Sequence, residues 1–350
     1  MPSRIYGLRN ALRAFIKALW NTSFQNSASI RRAEATTLRR GEQLEPRWQC
    51  SATAQLIGSD FFVRGDNYGN TMNLALEQRN GRDYLVARDA FNTIISGTQA
   101  EASLVKRIQV LGGSGKDTIH LGTLDLKKLP NLREVHLYGS GGNDAITGSR
   151  GSDFIYAGDG DDVVNSGNGM TYQGFQPHDV IYGDAGNDDI FGNDGYYGKF
   201  TFYGGTGNDR MWGNYQDDLF YGDLGNDIMY PAGGNDILEG GLGDDQYYYS
   251  SGAMNKDMVL DIGGTDFLVI SGFTKGMGVD LRKWGTDPSQ SLTTDFDPAT
   301  NDCIFLQVLQ NSIENIVGTN YEDILIGKEL SNYIQDEGWN YQLLGLGGSD

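Results

Sequence analysis

The sequence predicts an all-β fold: a parallel β-roll, or β-solenoid, with irregular β-rich coils at its N-terminal end and a basic leader, helical or disordered, ahead of them. Three observations predict it. Aspartates recur every nine residues: Asp144, Asp153 and Asp162, then Asp179 and Asp188, then Asp209, Asp218, Asp227, Asp236 and Asp245. Two residues after each comes an apolar side chain: Ile146, Ile155, Val164, Ile181, Ile190, Met211, Phe220, Met229, Leu238 and Tyr247. Two residues before each, Gly is the rule, with Pro177 and Gln216 the exceptions.

Elementary geometry justifies each part of a line. Three residues around the apolar position are enough for a short strand with one side chain inward. The six Gly- and Asp-rich residues make a turn, where Gly supplies positive φ. Two lines close one coil of about 18 residues, and coils stack about 4.8 Å apart. Stacking sets each Asp over the one two lines on. The pairs are Asp144 with Asp162, Asp209 with Asp227, Asp218 with Asp236 and Asp227 with Asp245, and Asp188 with Asp209 across a degenerate line. Two carboxylates at ~5 Å and an effective dielectric of ~20 repel by ~3 kcal/mol. A hard divalent cation that accepts carboxylate and carbonyl oxygens cancels this, and Ca²⁺ fits better than Mg²⁺, which demands tight octahedral geometry.

The lines read GGxGxDxUx, with U apolar; the best copies are YGGTGNDRM (203–211), YGDLGNDIM (221–229) and EGGLGDDQY (239–247). They resemble the RTX (hemolysin-type) calcium-binding nonapeptide repeat. The resemblance implies structural Ca²⁺ as cofactor, export of an unfolded chain, folding outside the cell, and an extracellular or surface location. It makes candidate metal ligands of Asp117, Asp144, Asp153, Asp162, Asp179, Asp188, Asp209, Asp218, Asp227, Asp236, Asp245 and Asp323.

Composition bounds the rest. The 350 residues include 50 Gly and carry a formal charge of −19. That acidity excludes nucleic acid as a partner and favours cations. Two cysteines, Cys50 and Cys303, make neither a disulfide framework nor a zinc site. No apolar run is long enough for a transmembrane segment.

Five regions follow in order. Residues 1–52 are the basic leader. Residues 5–20 there read as an amphipathic helix, and Leu44-Glu45-Pro46-Arg47 resembles the N-terminal signature of planctomycete surface proteins. Residues 53–138 should be irregular β coils and a cap. Candidate strands are Phe61–Arg64, Thr71–Leu76, Tyr84–Ala87, Asn92–Ile95 and Lys106–Leu111, with a turn at Asn80-Gly81. Residues 139–250 are the roll, and Phe200 stands where one Asp is missing. Residues 251–312 are degenerate coils holding Asp257, Asp261 and Asp266, then a non-repeat insertion from 274. In 313–350 the period returns at Asp323, with Leu325, Ile334 and Leu343 at the U positions, and reads as a truncated second block.

Catalytic motifs are absent: there is no HExxH and no GxSxG. His120 and His136 read as strand or surface residues. Gln176-Pro177-His178-Asp179 faintly resembles the DPHD motif of alginate C5-epimerases, but its first Asp is Gln176. The expectation is a calcium-binding protein that is not an enzyme. Two alternatives are a non-catalytic module of a larger secreted hydrolase or epimerase, and an adhesin for polysaccharide or protein. The adhesin would use aromatic ladders, Tyr156, Tyr182, Tyr203 and Tyr221 on one sheet and Phe191, Trp212, Tyr230 and Tyr248 on the other.

Overall fold

The computed structural model describes residues 52–97, 99–167, 176–192, 198–250 and 255–271, with shorter segments on to 344. The chain divides into two units, Met1–Gln49 and Cys50–Asp350, and all described residues belong to the second. The leader helix, the LEPR-like segment, both cysteines and Asp323 lie outside the described residues.

Two long sheets face each other, one of 12 strands and one of 13. Successive strands alternate between them. The first sheet takes Asp153–Asp159, His178–Ala185, Lys199–Thr206, Leu219–Leu224 and Ile237–Leu242; the second takes Val163–Asn165, Asp189–Phe191, Arg210–Trp212, Ile228–Tyr230 and Gln246–Ser250. All these neighbours pair in parallel with the repeat in register: Phe202 beside Phe220 beside Leu238, and Met211 beside Met229. A coil rather than a hairpin results, because each line turns the same way before its strand pairs with the line two back.

The U residues fill the space between the sheets. All ten named above from Ile146 to Tyr247 are buried, 0–1% exposed. They join Ile119, Phe202, Val259, Leu268 and Ile316 in one continuous core. Strands of three residues are too short to hold alone, so stability resides in the stack.

The N-terminal end is closed by two antiparallel hairpins. Thr53–Ile57 folds on Asp60–Arg64, and Thr71–Arg79 folds on Arg82–Arg88. The second turns through Asn80 (φ 49°) and Gly81 (φ 77°), the left-handed pair that a tight hairpin requires. Asp60–Arg64 and Thr71–Asn73 then pair in parallel with Arg107–Gly113 and Thr118–His120, so coiling starts there. The predicted strand at Asn92–Ile95 is only an isolated bridge at Ile94, after a turn in which Asn92 has φ 61°.

Asp117 and Asp144, three lines apart in sequence, are neighbours in space. The 27 residues form one enlarged coil, whose excess is taken up by the loop around the short helix Leu126–Lys128. At the other end the insertion is shorter than the sequence suggests. Ile304–Leu309 pairs in parallel with Asn255–Leu260 and continues the first sheet, and Asn315–Val317 continues the second. Gly278–Asp280, Ile324–Ile326 and Gln342–Leu344 form a third, three-stranded parallel sheet.

Candidate metal centre

The turns that carry the chain from the first sheet to the second form one edge of the roll. Their aspartates stand in a column: Asp117, Asp144, Asp162, Asp188, Asp209, Asp227, Asp245 and Asp266. Each Oδ1 accepts the backbone amide of the preceding member at 2.6–2.9 Å. Asn70 starts the column by donating its amide to Asp117. The returning turns form the other edge. There Asp153 donates to Asp179, Phe200 to Asp218, Asp218 to Asp236, and Asp236 to Asp257. All five expected pairs are therefore stacked.

A second ladder runs the opposite way, one residue earlier in each turn. The amides of Asp161, Asn187, Asn208, Asn226, Asp244 and Thr265 donate to the side chains of Asn143, Asp161, Asn187, Asn208, Asn226 and Asp244 respectively. Each turn is thereby tied to the coil before and the coil after.

One oxygen of each first-edge carboxylate is thus satisfied by an amide. From Asp117 to Asp245 the other is not. Oδ2 of Asp117, Asp144, Asp162, Asp188, Asp209, Asp227 and Asp245 is buried without a hydrogen-bond partner. Such orphans are rare in folded proteins and call for a ligand or a proton. Six of the seven face a glycine five residues upstream; at Asp162 that position is Ala157. A Cβ built on Gly222 would meet Asp227 Oδ2 at 2.2 Å and the Gly240 carbonyl at 2.3 Å; on Gly183 it would meet Asp188 Oδ2 at 2.4 Å and the Gly204 carbonyl at 2.5 Å. At these positions glycine leaves a hollow, and what surrounds it is oxygen: a carboxylate of its own turn and a carbonyl of the next coil.

Burial shapes the charge. Desolvation pushes Asp117 up to about 6, Asp162, Asp209 and Asp245 up to about 7, and Asp144, Asp188 and Asp227 up to about 8, against amide hydrogen bonds that pull down. Neighbouring aspartates in the column add to the rise at Asp144, Asp188 and Asp227. A column of carboxylates that resists ionisation, with one free oxygen each and a carbonyl nearby, fits a hard cation. Ca²⁺ takes six to eight such oxygens in flexible geometry. Here the carboxylates and turn carbonyls would supply them, and the ion would supply the positive charge that allows the column to ionise.

The second edge differs. Asp153 receives the Ser149 hydroxyl on Oδ1 and the Ser149 amide on Oδ2, and Asp218 receives the Asn214 amide on Oδ2. Phe200 fills the place of one Asp, packed beneath Gly192. Asp236 retains an orphaned Oδ2 and is pushed up to about 10, by burial and by Asp257.

Sequence reasoning omitted Asp266 from the column, Asn70 from its base and Asp257 from the second edge. Both Asp follow their predecessors by 21 residues rather than 18. The apolar partner two residues on, Val259 or Leu268, is the signal that would have found them. No histidine joins a catalytic arrangement among the described residues. His178 Nε2 lies 2.9 Å from Thr201 Oγ1, and His136 stacks on Phe154.

Four segments, residues 138–169, 178–196, 201–230 and 232–253, match the RTX calcium-binding nonapeptide repeat. No curated protein matches the chain.

Proposed function

We propose that this protein, a carrier of RTX calcium-binding repeats, is an exported or surface β-roll whose fold is completed by calcium, and that it has no catalytic activity of its own. The observation that carries the reading is the row of buried, unpartnered Oδ2 atoms along the first edge. A metal-free roll leaves them uncompensated, so metal-binding energy is folding energy. Sites of ~0.1 mM in millimolar calcium would each add ~1.5 kcal/mol. Cytosolic calcium is far too low to do so, which favours a location outside the cell. Among the described residues no helix is long and apolar enough to cross a membrane.

The ligands we assign are Asp117, Asp144, Asp162, Asp188, Asp209, Asp227 and Asp245 on the first edge, with Asp236 on the second and turn carbonyls between. Asp153 and Asp218 belong to the same register but are partly satisfied by their own turns, and Asp179 is followed by the coil that lacks an Asp.

The aromatic ladders stand on the outer faces of the sheets. Tyr138, Tyr156, Tyr182, Tyr203 and Tyr221 stack with centroids 4.6–5.1 Å apart. Phe191, Trp212, Tyr230 and Tyr248 stack at 4.4–5.1 Å. Rings stacked on one another cover their own faces. A sugar platform needs free faces, so the ladders serve chiefly to stiffen the sheets.

The test is circular dichroism during calcium titration of the chelated chain, with magnesium as control. The β-signal should rise with calcium and not with equal magnesium. A full β-signal in excess chelator at neutral pH would sink the reading.

A further inference from the structure

The last hollow of the first edge is built differently from the others. Aligned on its Asp, the line 261–266 reads DIGGTD where the two before it read GDLGND (222–227) and GGLGDD (240–245). Asp261 therefore stands five residues before Asp266, where the earlier coils have Gly222 and Gly240. Its side chain enters the hollow of Gly240. A Cβ on Gly240 would meet Asp245 Oδ2 at 2.3 Å, the Tyr247 hydroxyl at 2.3 Å and Asp261 Oδ2 at 2.7 Å. Elsewhere the second oxygen is a backbone carbonyl; here a carboxylate has taken its place.

Three carboxylates converge as a result. Oxygens of Asp245, Asp261 and Asp266 lie within 4.8 Å of one another, and all three residues are buried. Two of them are held in place. Asp261 Oδ2 accepts the Tyr247 hydroxyl at 2.6 Å, its Oδ1 accepts the Ile262 amide at 2.6 Å, and Asp266 Oδ1 accepts the Asp245 amide at 2.9 Å. Asp245 Oδ2 is different: its residue is 0% exposed, the atom has no hydrogen-bond partner, and it points into the hollow. Asp245 lies inside the last matched segment, residues 232–253, and Asp261 and Asp266 lie beyond it.

We infer that Asp245, Asp261 and Asp266 form a separate calcium site, which closes the first edge and is tighter than the sites of the repeats. Affinity of oxygen sites for Ca²⁺ rises with ligand charge and rigidity. This site has one carboxylate more than a repeat hollow, and Tyr247 and two strands fix its oxygens in advance. It fills first as calcium rises, and it pins the degenerate coil at Asn255–Leu260 and Phe267–Ser271 to the regular roll. Tyr247 is a positioning residue that aims the Asp261 carboxylate. The inference rests on calcium binding by the repeats themselves.

Calorimetric titration of the full chain with calcium tests it, with circular dichroism at saturating calcium to check the fold. The wild type should take up one ion about tenfold more tightly than the rest. Asp261→Asn and Asp261→Gly should lose that step and keep the others; the glycine variant only restores the residue that the earlier coils carry. Tyr247→Phe should weaken the same step alone, by a few-fold. Variants that titrate like the wild type overturn the inference. So does an Asp261→Gly variant that gains an ion, since the Asp261 carboxylate would then be a plug that blocks an ordinary repeat site. A wild type that takes calcium in uniform steps defeats this site only, whereas a flat titration defeats the calcium reading as a whole.

Discussion

The two edges of the roll are built from one nine-residue rule, yet they are not equivalent. On the first edge most turns keep Gly at the hollow, in lines such as GGTGND (204–209) and GDLGND (222–227), and the carboxylates from Asp117 to Asp245 are left with a free oxygen. On the second edge the lines read GSRGSD (148–153), GNYQDD (213–218) and PAGGND (231–236). Ser149 and Asn214 turn their own amides onto the carboxylate, and Phe200 replaces one altogether. The difference teaches that an Asp in register is not enough. What makes a metal position is an Asp whose second oxygen the turn itself fails to satisfy. The first edge is metal-demanding along its length, whereas the second is self-sufficient at Asp153 and Asp218 and leaves an unpartnered oxygen only at its far end, at Asp236 and Asp257.

The largest expected effect comes from pH, because it acts on the whole column at once. The folded, calcium-free aspartates of the first edge sit at about 6 to 8, above the ordinary 3.8. A raised folded value means that the native state binds more protons than the unfolded chain. The contribution is therefore fully present below about pH 4 and is lost as pH rises through 6 to 8. In chelator, the β-signal and melting temperature should be higher at pH 5 than at pH 8. With calcium present the trend should reverse, since protons displace the ion from its carboxylates. Melting curves at both pH values, with and without calcium, check this.

Substitution separates the edges. Asp227→Asn should remove a calcium and cost about 2 kcal/mol in saturating calcium, whereas Asp218→Asn should leave the number of bound ions unchanged. Equal losses of calcium in the two variants would erase the distinction between the edges. Gly222→Ala is the steric version. Its methyl would overlap Asp227 Oδ2 and the Gly240 carbonyl, and about 1–3 kcal/mol should be lost in calcium. Gly141→Ala is its control, because nothing lies within 4 Å of the new methyl, and it should be close to neutral. The smallest effect belongs to neither edge. Tyr203→Ala, in the middle of the tyrosine ladder, should cost about 1 kcal/mol with no change in calcium stoichiometry.

Where the repeat is strict, the sequence by itself determined the architecture. The spacing of Asp144 to Asp245, with Ile146 to Tyr247 two residues on, sets strand, turn, coil and core, because a side chain every nine residues can face inward only if the chain closes a coil every eighteen. It also assigned the two aromatic ladders to opposite sheets. Three matters were decided only by the tertiary structure. Coils of unequal length keep register in space while breaking it in sequence; between Asp117 and Asp144 a loop outside the strands absorbs the excess at little cost. The hairpins at Thr53–Arg64 and Thr71–Arg88 close the stack with antiparallel pairing that no period announces. The inequality of the edges also lies beyond the sequence pattern. Whether Asp227 or Asp218 keeps a free oxygen depends on where the amide of Asn214 points, and folding alone brings that donor and that acceptor together.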